Sequence, residues 1–236
     1  LFDGEILHAT GLGTNVPLSK LNGGRPFVLL DACEETPTVD AVNFPNEEAE
    51  RAAMQHLIDR GCRNIAIVGH RFAPRADLAH AQNAFALRLR GACGALSDAG
   101  LPYDESMVFE AGDVANGIIA GHAIAERILA ARSGHGGTEF DGACCANDFA
   151  AFGVIRGLAD RGLRVPQDVK VIGFDGVTSG SYTTPALSTI QVDFTQLAKF
   201  SVDMLSERID HGTDEALPPR RAIIGYQLVD RESTAV

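Results

Sequence analysis

No stretch of the 236 residues approaches the ~20 consecutive apolar positions that a membrane-spanning helix needs. Hydrophobic residues nonetheless make up 45% of the chain, and its mean hydropathy is +0.03, so it reads as an ordinary folding sequence rather than a disordered one. No basic-then-apolar leader opens it, which leaves secretion unsupported. Basic charge is scarce: 20 Lys and Arg stand against 31 Asp and Glu, a net charge of −11 with a pI near 5.0. So acidic a surface does not grip a phosphate backbone by itself, and any link to DNA must come through another part of the protein. The five cysteines (Cys33, Cys62, Cys93, Cys144, Cys145) are odd in number and have no repeating spacing. With no C-x-x-C and no paired histidines, neither a disulfide framework nor a metal knuckle is expected. They read as reduced packing residues of a cytoplasmic protein.

Catalytic signatures are missing as well. Gly176-Val177-Thr178-Ser179-Gly180 lacks the Gly-x-Ser-x-Gly spacing of a nucleophile elbow, and there is no His-Glu-x-x-His or Walker lysine loop. Gly11-Leu12-Gly13 wants a third glycine and meets Pro17, so it is no nucleotide loop. Plentiful carboxylates in a chain of this charge are mostly solvated surface. Neither an enzyme nor a cofactor or metal site is expected.

What the chain does have is an alternation of short apolar strands and amphipathic helices. Strands are expected near residues 4–8, 26–31, 39–42, 64–69, 108–110, 142–146 and 169–175, with a last one from 222 to 228. Between them lie helical patterns. The first follows Asn46, placed to cap it, with Glu47 and Glu48 at its positive end and Gly61 as its stop. His56 falls near the apolar face of that helix and reads as a packed residue. Others run through Arg88 to Gly100, from about 114 to 132, from 148 to 161, and from about 195 to 210. In the last, Leu197, Phe200, Met204 and Leu205 are expected inside. Such alternation implies an α/β fold with mainly parallel sheets flanked by helices.

The decisive stretch is Val165-Pro166-Gln167-Asp168-Val169-Lys170-Val171-Ile172-Gly173-Phe174-Asp175. Pro166 bars a helix from continuing, the apolar run makes a buried strand, and Asp175 closes it at the carboxyl edge, where open α/β sheets bind ligands. Upstream, Gly142-Ala143-Cys144-Cys145-Ala146 is a second small apolar strand, closed by Asn147-Asp148. Together with Pro185-Ala186-Leu187-Ser188-Thr189-Ile190, the terminal Leu228-Val229-Asp230-Arg231-Glu232-Ser233-Thr234 and His56-Leu57-Ile58-Asp59-Arg60-Gly61-Cys62-Arg63-Asn64-Ile65-Ala66, this order resembles the effector-binding domain of the LacI/GalR family of bacterial transcription regulators.

The resemblance implies a two-lobe, periplasmic-binding-protein-like fold with a small-molecule effector, typically a sugar, held between lobes. One lobe would comprise residues 1–62 plus 193–217, and the other 63–192 plus 218–236. The first lobe would be incomplete at its N-terminus, since the strand, helix and strand that open it in the family, and the helix-turn-helix before them, find no counterpart here. The family's effector-contacting Arg, Asn and Asp fall on Arg88, Asn147 and Asp175. Arg donates in a fixed fork, Asn donates and accepts, and Asp accepts, a set suited to hydroxyls on a rigid ring. Val114 stands where the family often has an aromatic ring, and Phe194 matches an apolar pocket position. The long polar segment from 70 to 84 departs from the family pattern. The resemblance implies an allosteric repressor working as a homodimer, with contacts from the helix starts near 115 and 151 and the loop after Asp175. A periplasmic sugar-binding protein of a transport system is the alternative.

Overall fold

The computed structural model describes residues 3–9, 24–110, 117–133, 140–211 and 217–235. The chain divides into two compact units. The first comprises 1–45, 82–84 and 193–225, the second 46–81, 85–192 and 226–236. The first division falls after residue 45, whereas the family resemblance implies one after 62.

The second unit is built on a six-stranded sheet. Its strands are β4 (Ile65–Val68), β5 (Val108–Phe109), β6 (Gly142–Cys145), β7 (Lys170–Asp175), β8 (Ser188–Val192) and β10 (Tyr226–Val229), in the order β10-β8-β7-β6-β4-β5. Every pairing is parallel except β10 with β8. β4 and β6 are buried along their whole length, as strands covered on both sides must be. Helix α1 (Asn46–Asp59) packs on β6, β7, β8 and β10. It belongs with this sheet because Ala49, Ala53, Met54 and Leu57 form its buried stripe. The terminal motif staples the same layers. Ser233 Oγ donates to Val171 O at 2.6 Å and accepts from Ser188 N–H at 2.8 Å, and His56 Nε2 lies 2.8 Å from Thr234 Oγ1.

Helices α3 (Ala84–Asp98), α4 (Gly117–Ser133) and α5 (Asp148–Asp160) complete this unit's layers, apart from Ala84 at the head of α3. Glycines let the helices touch: a Cβ on Gly91 would sit 2.1 Å from Glu47 O, and one on Gly153 would sit 2.0 Å from Ile118 O. The segment after β4 is ordered. It forms the short helix α2 (Arg75–Leu78), stacks Phe72 on Tyr103 at 5.5 Å, and receives the Tyr103 hydroxyl on Ala73 O at 2.7 Å.

The first unit has a four-stranded, all-parallel sheet in the order β1-β2-β3-β9, made of β1 (Glu5–His8), β2 (Phe27–Leu30), β3 (Asp40–Asn43) and β9 (Arg221–Ile223). Phe27, Leu29, Ala32 and Ala41 form its core. Helix α6 (Phe194–His211) lies against β1, β2 and β3, but of the four residues expected inside only Leu197 is buried. Phe200, Met204 and Leu205 stay half-buried because so narrow a sheet cannot cover an 18-residue helix. The single terminal strand expected at 222–228 is in fact two. β9 joins this sheet and β10 the other, with the break at Ile224-Gly225, where Gly225 N–H donates to Gln196 Oε1 at 2.7 Å.

Candidate ligand-binding site at the carboxyl edge of the second sheet

Because β4, β6 and β7 run parallel, their carboxyl ends share one edge, the place where open α/β sheets hold ligands. Asn147 follows β6 directly. Its Oδ1 caps α5 by accepting from Ala150 N–H at 2.8 Å, while its amide NH2 makes no hydrogen bond with a described residue. The neighbouring Asp148 does not cap the helix. Fully buried, it accepts from the Thr189 hydroxyl at 2.6 Å and from Val177 N–H at 2.7 Å. Burial pushes its carboxyl up to about 6, against the lowering effect of the bonds from Thr189, Val177 and Gly176.

Those bonds fix the turn that carries Asp175. As the last residue of β7, Asp175 has φ +113°, and Gly176 follows at +79°. The glycine is required there, since any Cβ would lie 2.6 Å from Gln191. An aspartate tolerates positive φ better than most residues, yet such a conformation still costs roughly 1–3 kcal/mol and persists only where the surroundings impose it.

Arg88, in the first half of α3, is only 7% exposed. Its Nε donates to Asn46 Oδ1 at 2.8 Å, its Nη1 to the carbonyl of Ala146 at 2.6 Å, and its guanidinium lies 3.7 Å from the centre of the Phe174 ring. One guanidinium is thus bonded to the residue before Asn147 and stacked on the residue before Asp175. Three residues drawn from far-apart positions thus lie at or beside one sheet edge. Arg88 Nη2 is left without a hydrogen bond to any described residue.

Val114 lies outside the described residues. Phe194 belongs to the first unit, where it opens α6, is 47% exposed and meets Phe44 edge-to-face at 6.1 Å. That unit repeats the strand-end arrangement. Asp31 follows β2 with φ +59° and accepts from Phe44 N–H at 3.4 Å. In the sequence Asp31 only ends a strand, Asn46 only caps a helix, and Phe174 only fills a strand. Asp31, on the end of an apolar run, carried the same signal as Asp175; the partnership of Asn46 and Phe174 with Arg88 left none.

Residues 54–234 match the family profile of a periplasmic binding protein-like domain. A solved LacI-family protein from Sanguibacter keddieii is 33% identical, with a TM-score of 0.84 over 99% of this chain and 80% of its own. The chain belongs to the LacI/GalR family. Within that family, the transcriptional repressor PurR of Aliivibrio fischeri is 30% identical over 208 residues, which are 88% of this chain and 58% of the repressor. A LacI-family regulator from Enterococcus faecium, solved with bound ribose, is 26% identical, with a TM-score of 0.77 over 99% of this chain and 80% of its own. This LacI/GalR-family chain thus spans little more than half the length of its PurR relatives.

Proposed function

We propose that this chain is the effector-sensing core of a bacterial LacI/GalR-type transcription regulator, a repressor, that binds a small sugar or related polyol. What supports this reading is the placement of Arg88 beside the strand ends that carry Asn147 and Asp175, with its guanidinium held by Asn46, the Ala146 carbonyl and the Phe174 ring. Each ring hydroxyl can then accept from the arginine or amide and donate to the carboxylate. The ribose held by the Enterococcus faecium relative supports the same chemical class.

Operator DNA, in this reading, is contacted by an N-terminal helix-turn-helix domain outside these 236 residues, consistent with a net charge of −11. The chain works in the cytoplasm and catalyses nothing. Effector binding shifts a conformational equilibrium by its differential affinity for two states, and the DNA-binding head reports the shift. A second copy of the chain docks on the face where Ile118 and Ile119 of α4, Phe149 of α5 and Tyr182 lie exposed. Among the described residues no helix is long and apolar enough to cross a membrane.

The test is a thermal-shift screen of pentoses, hexoses, disaccharides and phosphosugars, followed by calorimetric titration. A saturating ligand raises the melting temperature by mass action. A chain whose melting no sugar or phosphosugar moves would refute the reading.

A further inference from the structure

Arginine is a long, flexible side chain, and ordering it for a ligand sacrifices side-chain entropy that must come out of the binding energy. Arg88 is already ordered. Ala146 O and the Phe174 ring hold it from the sheet side, and both belong to the edge itself. The third anchor comes from elsewhere. Asn46 opens α1, lies 42 positions before Arg88 in sequence, and is buried to 98% by a relative exposure of 2%. Its Oδ1 takes the Nε–H, the one donor on the side of the guanidinium that faces back along the side chain. With Nε and Nη1 both fixed, the plane can neither roll about its last bond nor lift from the phenylalanine. Only the Nη2 corner is left without a partner among the described residues.

We infer that Asn46 is the positioning residue of the effector site, acting through Arg88: it locks the guanidinium in the orientation that presents Nη2 to an acceptor oxygen on the ligand. The inference rests on the effector reading above, but the locking itself is independent of any ligand. An aspartate at position 46 keeps an acceptor in the same place and adds charge; an alanine removes it and leaves a buried N–H unpaired.

The experiment has two arms. In the first, side-chain spectra of the chain labelled with 15N-arginine identify the Arg88 Nε–H signal by its loss in Arg88→Lys. Asn46→Ala should shift or broaden that signal and speed its solvent exchange, while the backbone amide spectrum away from α1 is kept; Asn46→Asp should retain it. An Nε–H signal unmoved in Asn46→Ala overturns the inference. In the second, D-ribose is the probe. Asn46→Ala should weaken its binding about tenfold, the scale of one lost charged hydrogen bond, and Asn46→Asp should restore it. In the Arg88→Lys background, Asn46→Ala should add nothing further, whereas equal weakening in both backgrounds means that Asn46 acts by some other route and overturns the inference. If wild-type chain binds no sugar, the effector reading falls, and the arginine spectra still decide whether Asn46 locks Arg88.

Discussion

At the residue scale the two sheets share a device, an aspartate at a strand end held at positive φ: Asp31 after β2 and Asp175 closing β7. Strain of this kind is stable only when the surroundings over-determine it, and at Asp175 the buried Asp148 does so by holding the amides that follow. Asp175→Ala is expected to abolish sugar binding and to lower stability by about 1 kcal/mol, since alanine fits that φ worse. Asp175→Gly should lose binding equally but unfold no earlier than wild type. Calorimetry and thermal melts separate the two effects, and a glycine variant that still binds would remove Asp175 from the site. A second buried carboxylate lies on α1. Glu50, fully buried on α1, accepts from the Cys144 thiol at 3.3 Å and lies 3.7 Å from His70 Nε2. Among the described residues, its Oε2 and both His70 ring nitrogens have no hydrogen-bond partner. Emptying this fully buried site leaves a cavity beside the carboxylate, so His70→Ala should cost about 2–5 kcal/mol in urea unfolding. Adding Glu50→Gln should recover part of that loss; no recovery would mean the pair is not coupled.

At the element scale, the helices of the second unit are seated by glycine. α4 and α5 approach so closely that Gly121 and Gly153 each have a facing carbonyl within about 2 Å of where a Cβ would stand, 2.1 Å from Ala150 O and 2.0 Å from Ile118 O. Gly153→Ala must push the pair apart, an overpacking loss of roughly 1–3 kcal/mol that a lowered urea midpoint with unchanged slope would register. In the first unit the tie between β3, α6 and the approach to β9 is ionic. Asp40, 2% exposed, accepts from Arg208 at 2.9 and 3.0 Å and from the Arg220 guanidinium at 3.1 Å. Burial alone would raise its carboxyl, but the arginine hydrogen bonds outweigh it and hold it below the ordinary 3.8. With the folded value depressed, the folded state binds fewer protons across that window. The stabilisation is therefore complete above about pH 4 and lost as pH falls through the folded value. Asp40→Asn should flatten the acid limb of melting temperature against pH, followed by circular dichroism. An acid limb identical to wild type would place the acid sensitivity elsewhere.

At the scale of the whole molecule, large apolar side chains near the starts of α4 and α5 stand exposed to water. Ile119 is 71% exposed, Ile118 48% and Phe149 47%, and Tyr182, in the turn after β7, is 83% exposed. The homodimer expected of the family would cover them. Sedimentation equilibrium should find a dimer that Ile119→Asp converts toward monomer, with its secondary structure unchanged; a wild-type monomer at micromolar concentration would reject this face.

Local chemistry was enough to announce most of the elements. Apolar runs bounded by glycine and proline gave β4, β6 and β7, helical spacing gave α3 and α5 with their buried Leu89, Ala92, Leu96 and Ala151, Val154, Leu158, and polar residues at strand ends marked Asn147 and Asp175. These are properties of neighbouring residues, which periodicity and backbone sterics settle within a few positions. Tertiary structure alone decided the rest. That Asn46 reaches Arg88, that Arg88 lies on Phe174, that Glu50 is buried beside Cys144, and that one apolar run from Arg221 to Val229 divides between two sheets all follow from the strand orders β10-β8-β7-β6-β4-β5 and β1-β2-β3-β9. Such neighbours are set by which surfaces pack together to leave water, and no window along the chain contains both partners.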